Sequence, residues 1–296
     1  MDKLSSFLNF VPEIRVSPPL LLLLVLFGTG LVLGLSFLIT AYNQKKTELK
    51  QKLTERQLLE EELQVARQVQ VGLLPRKAVQ IEGFDVSTFF RPAKEVGGDY
   101  YDVIPCKNGV GLVIADVSGK GVPAALVMAN LHASLHALAD SYRIDELITR
   151  VNRSIFENTS PNLFVTFFYG VLNHSTGELG YVNAGHNPPV VVRRDGAVEK
   201  LTQGGIVLGI SPDSNFEIGS TILNSSDLLL LYTDGLTEAG LPEIEPWSED
   251  DLIDLLVKIH QKTASSITDL IIRQVEESTK GVVQTDDIAL VLVKRI

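Results

Sequence analysis

Asp99, Asp116, Asp234 and the adjacent pair Asp286 and Asp287 each stand at the mouth of an apolar run, so the same arrangement occurs four times. One aspartate in such a place is ordinary turn chemistry, because Asp favours turns and strand ends. Four repeats, with no cysteine and no paired histidine among them, make a set of hard oxygen donors that selects Mg²⁺ or Mn²⁺ rather than zinc. A two-metal site of that composition acidifies a water into a nucleophile, and hydrolysis of a phosphoester is the reaction that fits it best. No G-x-S-x-G elbow occurs, which argues against a covalent serine hydrolase.

The elements that must bring these carboxylates together centre on residues 109–123, GVGLVIADVSGKGVP, an apolar run ending in Asp116 and then a glycine-rich turn into an apolar helix. Upstream lies GGDYYDVIPCKNG, and Asn108-Gly109 between two strand-like runs is a strong hairpin signal. A two-residue turn at Lys107 and Asn108 sets residue 106 opposite 109 and Asp99 opposite Asp116. Directly opposed residues share a sheet face with Cβ atoms roughly 4.5 to 5.5 Å apart, and like charges so placed repel. The register therefore calls for a positive charge between them.

Further strands are expected at 84–91, 99–106, 109–115, 163–172, 178–183, 190–193, 197–201, 216–223, 228–232 and 288–293. Helices are expected from Val122 to about 140, over 145–158, 248–261 and 265–278, with Leu147, Ile148, Val151 and Ile155 forming one apolar stripe. Ahead of this strand-rich part, residues 17–42 contain no charged side chain, enough to cross a bilayer as one helix. Lys45, Lys46, Lys50 and Lys52 follow that span while only Lys3 and Arg15 precede it, so the positive-inside rule puts the C-terminal bulk in the cytoplasm of an inner-membrane protein. Residues 43–76 read as a polar linker helix; Leu59, Leu63, Ala66, Gln70 and Leu73 follow a 4-3-4-3 spacing, a weak coiled-coil seam that suggests a homodimer. The expected organisation is a short outer tail at 1–17, a transmembrane helix at 18–42, the linker at 43–76 and one domain at 77–296. The net charge of −10 argues against a nucleic-acid partner.

Other residues with chemical potential read more plainly. Cys106, the single cysteine, adjoins a hairpin turn and has no evident activating base. His132 and His136 are four apart, as metal ligands can be, but lack the intervening glutamate of the zinc-protease pattern and are assigned to helix-surface or core positions. His186, in an Asn/Pro-rich corner, is expected to brace that loop. Arg91 and Lys94 precede the first carboxylate block, where they would attract a substrate phosphate or form a solvated basic pair.

The blocks GGDYYDV at 97–103, ADVSGKGVPAAL at 115–126, NAGHNPP at 183–189, YTDGLTEA at 232–239 and DDIAL at 286–290 resemble the signatures of metal-dependent serine/threonine phosphatases. More narrowly they are similar to the SpoIIE and RsbU branch of the protein phosphatase 2C superfamily, and ARQVQVGLLP at 66–75 is similar to that branch's regulatory linker. The resemblance implies an α+β fold, an α-β-β-α sandwich of two antiparallel sheets flanked by helices, here preceded by a transmembrane helix and a linker helix. It implies two divalent cations, Mn²⁺ or Mg²⁺, with Asp116 bridging both, the Val117 carbonyl on one, Asp234 and Asp286 on the other, and Asp99 on the first directly or through water. Asp287 would stand behind these ligands. By the same resemblance the substrate is a phosphoserine or phosphothreonine protein, often an anti-sigma-factor antagonist of the STAS type, and an activated water attacks phosphorus in line without a phosphoenzyme. The segment after YTDGLTEA departs from the family's pattern by lacking a Phe-Gly. Two other readings compete: a non-catalytic scaffold with the same fold, and a membrane sensor kinase using His132, which the order of His132 after the glycine-rich turn disfavours.

Overall fold

The computed structural model describes residues 17–75, 80–107, 109–237, 247–279 and 284–296. The outer tail, the turn position Asn108 and the segment 238–246, which holds most of the expected departure from the family pattern, lie outside the described residues. The chain divides into two units, Met1–Glu62 and Leu63–Ile296.

The first unit is the greater part of α1 (Pro18–Val71), one uninterrupted helix rather than two helical segments. Its N-terminal part has a mean hydropathy of 2.6 over 18 residues with none of that window buried, so by length and composition it is able to cross a bilayer. Beyond it the helix surface is polar and carries pairs one turn apart, Glu48 with Lys52 at 2.7 Å and Arg56 with Glu60 at 2.8 Å. The helix runs through Arg56, where the apolar seam falters, and its end from Leu63 onward belongs to the second unit.

Among the described residues, the second unit has eleven strands in two sheets. One sheet has the order β1 (Phe84–Arg91), β11 (Ile288–Arg295), β10 (Leu228–Tyr232), β6 (Val190–Val192) and β7 (Val198–Lys200), all antiparallel. The other runs β2 (Tyr100–Cys106), β3 (Gly109–Val117), β4 (Val165–Leu172), β5 (Glu178–Ala184) and β8 (Gly204–Gly205), with β9 (Gly219–Ile222) also pairing β5. Period-two alternation explains the layering. Along β10, Leu229 and Leu231 enter the main core with Val291 and Val293, whereas Leu228, Leu230 and Tyr232 face a second core with Leu252, Leu256, Ile267 and Ile271. The latter four come from α4 (Glu249–Ile259) and α5 (Ala264–Ser278), which cover the outside of the first sheet. On the other sheet α2 (Val122–Leu138) and α3 (Ile144–Asn158) bury Met128, Leu131, Leu135, Ile148 and Val151. The result is the expected α-β-β-α sandwich, in an α+β class.

Strand bounds agree with the sequence reading at β1 and β10, while β9 is shorter than the expected run because only Gly219–Ile222 finds partners on β5. The two-residue β8 escaped it altogether, since Gly-Gly carries no alternation to read.

Candidate metal centre

The hairpin register is the one the turn implied. Strands β2 and β3 pair from Cys106 opposite Gly109 to Tyr100 opposite Ala115, so continuing by one residue sets Asp99 against Asp116. Asp234 stands two residues beyond the end of β10 and opens a single 3-10 turn, and Asp286 and Asp287 immediately precede β11. The four strand ends meet between the two sheets, where the carboxylates act on one another.

Asp99 is 1% exposed and its Oδ2 has no hydrogen-bond partner. Burial first, and then the charge of Asp116, hold its carboxyl well above the usual carboxylate range, opposed by a hydrogen bond from Thr233. Burial, followed by Asp234 and Asp286, pushes Asp116 up to about 7. A buried carboxylate oxygen without a donor is costly unless a cation completes it, so this is a donor set that fits a hard divalent ion. The backbone fits as well. A Cβ at Gly98 would lie 2.8 Å from the Val117 carbonyl oxygen, so glycine leaves that carbonyl uncovered beside Asp99.

The structure separates the adjacent aspartates. Asp287 is buried and turned onto the backbone, accepting from the amides of Ala93 at 2.7 Å and Gly98 at 2.8 Å. It fixes the loop that presents Asp99. Asp286 faces the cleft, where its Oδ2 lies 2.7 Å from Lys120 Nζ; Lys120 also donates to the Thr285 carbonyl at 2.8 Å. The carboxylate raises the lysine's pKa, chiefly through that hydrogen bond. The chain thus supplies one positive charge to its own acidic mouth, at Asp286.

Lys94 lines the same narrow cleft together with Gly97, Gly98, Asp116, Lys120, Asp286 and Asp287. Arg91 pairs with Glu276 at 2.9 Å, and its Nε is buried without a partner. His186 braces, as expected. It is 4% exposed, its Nε2–H donates to the Tyr232 carbonyl at 3.1 Å and its Nδ1 accepts from Thr166 Oγ1 at 2.9 Å. Burial lowers its pKa to about 4, so the ring is neutral at physiological pH. Thr166 pairs with Asp116 across β3 and β4, and Tyr232 lies two residues ahead of Asp234, so one imidazole ties together the backbones behind two of the aspartates.

Two contributors escaped the sequence reading of the site. Gln70, near the end of α1, donates from Nε2 to the Gly97 carbonyl at 2.7 Å and accepts from the Gly97 amide through Oε1 at 3.1 Å. That paired contact holds the loop before Asp99 at Gly97, next to the Gly98 amide that Asp287 holds. Its only sequence signal was a place in the 4-3-4-3 stripe, which the structure uses for a contact with the domain. Thr233, whose Oγ1 accepts from the Ala289 amide at 2.9 Å, supports the same aspartate from the first sheet.

Comparison with known proteins places this geometry. The chain is 33% identical over 184 residues to phosphoserine phosphatase RsbU of Bacillus subtilis, an alignment covering 62% of this chain and 55% of RsbU. It is 29% identical over 293 residues to protein IcfG of Synechocystis, covering 89% of this chain and 46% of IcfG, so it spans about half the length of these relatives. Among solved structures, the RsbU and RsbW domains of a Mycobacterium tuberculosis protein align with a TM-score of 0.62 at 28% identity, over 75% of this chain and 61% of that one. The SiaA-PP2C domain of Pseudomonas aeruginosa aligns with a TM-score of 0.71 at 18% identity, over 81% of this chain and 98% of that one, which establishes the fold. RsbX, solved in complex with magnesium, shares it at a TM-score of 0.55 over 74% of this chain and 98% of that one, at 16% identity. The family model for stage II sporulation protein E matches residues 107–296, well over half the sequence and all of the aspartate frame except Asp99; the chain belongs to the SpoIIE family, in the SpoIIE/RsbU branch of the PP2C fold.

Proposed function

We propose that this chain is a membrane-anchored, metal-dependent protein phosphatase that hydrolyses phosphoserine or phosphothreonine on a regulatory protein. The observation that carries the reading is the buried Asp99 Oδ2 without a partner, set in register against Asp116 at the meeting point of four strand ends. Asp99, Asp116, the Val117 carbonyl, Asp234 and Asp286 hold two divalent cations, Mn²⁺ or Mg²⁺. When bound, such cations polarise the phosphoryl group and acidify water.

The chain's own residues do the rest. Asp287 and Gln70 grip the 97–99 loop at Gly98 and Gly97 and keep Asp99 in place. His186 and Thr166 hold the backbone behind Asp116 and Asp234. Lys94 and Lys120 set two cationic side chains in the lining of the cleft, where a phosphate dianion held by the cations would be met.

The substrate is a phosphorylated STAS-type antagonist in a partner-switching pathway. The similarity to phosphoserine phosphatase RsbU, and to a chain that joins RsbU and RsbW domains, supports this class. Residues 18–42 anchor the protein in the inner membrane with the catalytic domain in the cytoplasm, and the linker helix over 43–76 pairs two copies. The test is hydrolysis of a phosphoserine peptide by the full chain in detergent micelles, with and without Mn²⁺, beside Asp116→Ala. Metal-dependent turnover lost in the variant supports the reading; no turnover and no calorimetric Mn²⁺ binding leaves a non-catalytic scaffold.

A further inference from the structure

A second group of ligating side chains lies on the opposite face of the strand that presents Asp99. Because side chains alternate along β2, Tyr100 and Asp102 point away from the aspartate mouth, towards α2. There His132 and His136, one turn apart on α2, meet Asp102. His136 Nε2 is 2.7 Å from Asp102 Oδ2 and His132 Nδ1 is 3.7 Å from the same oxygen, and one ligand atom from each of the three lies within 4.8 Å of the others. The two imidazole rings are 4.2 Å apart between centroids. Four-coordinate zinc holds nitrogen and oxygen at about 2.0–2.2 Å, so neighbouring ligands in a tetrahedron are separated by roughly 3.4 Å. The two printed separations from Asp102 Oδ2, 2.7 and 3.7 Å, fall on either side of that spacing.

We propose that Asp102, His132 and His136 bind one borderline divalent transition metal of the Zn²⁺ type, separate from the aspartate centre. The ligand chemistry sorts the two sites: two imidazoles and one carboxylate suit Zn²⁺, Co²⁺ or Ni²⁺, whereas the all-oxygen mouth suits Mg²⁺ or Mn²⁺. The surroundings are those of a prepared ligand set. Asp102 is buried, its Oδ1 accepts from the Val103 amide at 2.7 Å, and Tyr100 Oη donates to its Oδ2 at 2.6 Å. Outer hydrogen bonds of this kind fix the direction of a ligating carboxylate. Burial, with His136 beside it, lowers the His132 pKa and favours the neutral imidazole that ligates. The His136 side chain is 44% exposed, which leaves a route from solvent and room for a water as a further ligand. A metal here ties α2 to β2. Asp102 is three residues beyond Asp99, and α2 leads directly out of the turn that follows Asp116, so the tie reinforces both elements from behind.

The test is calorimetric titration of Zn²⁺ into the tag-free full chain in detergent micelles, with Mg²⁺ in excess to occupy the oxygen-donor site. One equivalent of Zn²⁺ is expected to bind, with a rise in melting temperature, and Co²⁺ in its place should give visible d–d absorption of a low-coordinate nitrogen and oxygen site. His136→Ala alters a half-exposed side chain and should weaken binding by more than about 100-fold, beyond the loss of an outer-shell partner. His132→Gln should do the same, while Asp116→Asn should leave the equivalent intact. Zn²⁺ binding that survives both histidine variants, or an absence of binding in the parent chain, overturns the proposal and leaves the three side chains as a hydrogen-bonded brace for Asp102.

Discussion

Two buried aspartates, Asp99 and Asp227, differ in what surrounds them. Asp227 is 2% exposed, immediately ahead of β10, and its carboxylate is fully met: Arg193 Nη1 at 2.8 Å, the Asn224 amide at 2.9 Å and the Arg194 amide at 3.0 Å. Arg193 continues outward to Glu199 and Thr221. Asp99 is as deeply buried, yet one of its oxygens faces no donor and its nearest charges are carboxylates. For this pair, completed hydrogen bonding marks Asp227 as serving stability, and the incomplete set at Asp99, held rigidly among other carboxylates, marks it as waiting for a ligand.

Substitutions in the two settings should separate these roles. Asp116→Asn is expected to lower kcat/KM on a phosphoserine peptide by about 10³-fold, the scale of losing a principal electrostatic contributor, with no fall in melting temperature. An equal loss of activity and of folded protein would erase the distinction. Asp227→Asn should do the reverse, costing about 3 kcal/mol because Arg193 loses its buried partner, or roughly 6–12 °C in Tm, while the folded fraction keeps its kcat/KM. Saturating the parent chain with Mn²⁺ at about 100 times its Kd should add about 2.7 kcal/mol of apparent stability in thermal melts. Asp99→Asn should raise the melting temperature of the metal-free protein and remove the Mn²⁺-dependent gain.

The smallest effect is a pH effect. The folded pKa of His186 is depressed to about 4 from an unfolded 6.5, so below pH 6.5 the unfolded chain takes up more protons and stability falls as pH falls. The contribution is complete above about 6.5 and fades towards 4, about 2 kcal/mol being lost by pH 5. Asp116, raised to about 7, works in the opposite direction, since its protonation relieves repulsion in the metal-free fold. Parallel urea titrations of the parent and His186→Gln isolate the histidine: the gap between them should narrow from pH 7 to pH 5, and a constant gap would contradict a neutral buried ring.

How far the sequence carried this picture depends on the range of each interaction. The Asp99–Asp116 pairing was legible because a hairpin is local and its turn fixes the register. The bounds of β1 and β10 were legible because each is a short local segment of strand-forming residues bounded by turn residues, Gly83 and Pro92 around β1 and Asp227 and Asp234-Gly235 around β10. Gln70 was not, since a buried glutamine on a polar helix has the same local pattern as a solvated one and only Gly97, 27 residues on, gives it a partner. From the residues alone Asp286 and Asp287 were interchangeable; only the resemblance separated them, and the contacts of Asp287 with the 93–98 loop give the separation a physical form. The histidine pair on α2 was visible, but its third member comes from a strand 30 residues earlier, and without it the absence of a glutamate between the histidines pointed to a surface or core position.

The antiparallel ladder of β2 and β3 also constrains how this coding sequence can change length. An insertion or deletion of one codon within the seven residues of β2 reverses the faces of everything on one side of it. Asp99 would then exchange places with a residue now directed at α2, and Asp102 with one directed at the inter-sheet core. The same change between Cys106 and Gly109 falls outside the ladder and alters only the loop. Length variation in descendants of this gene should therefore accumulate at the hairpin tip and, inside the strand, survive only in steps of two.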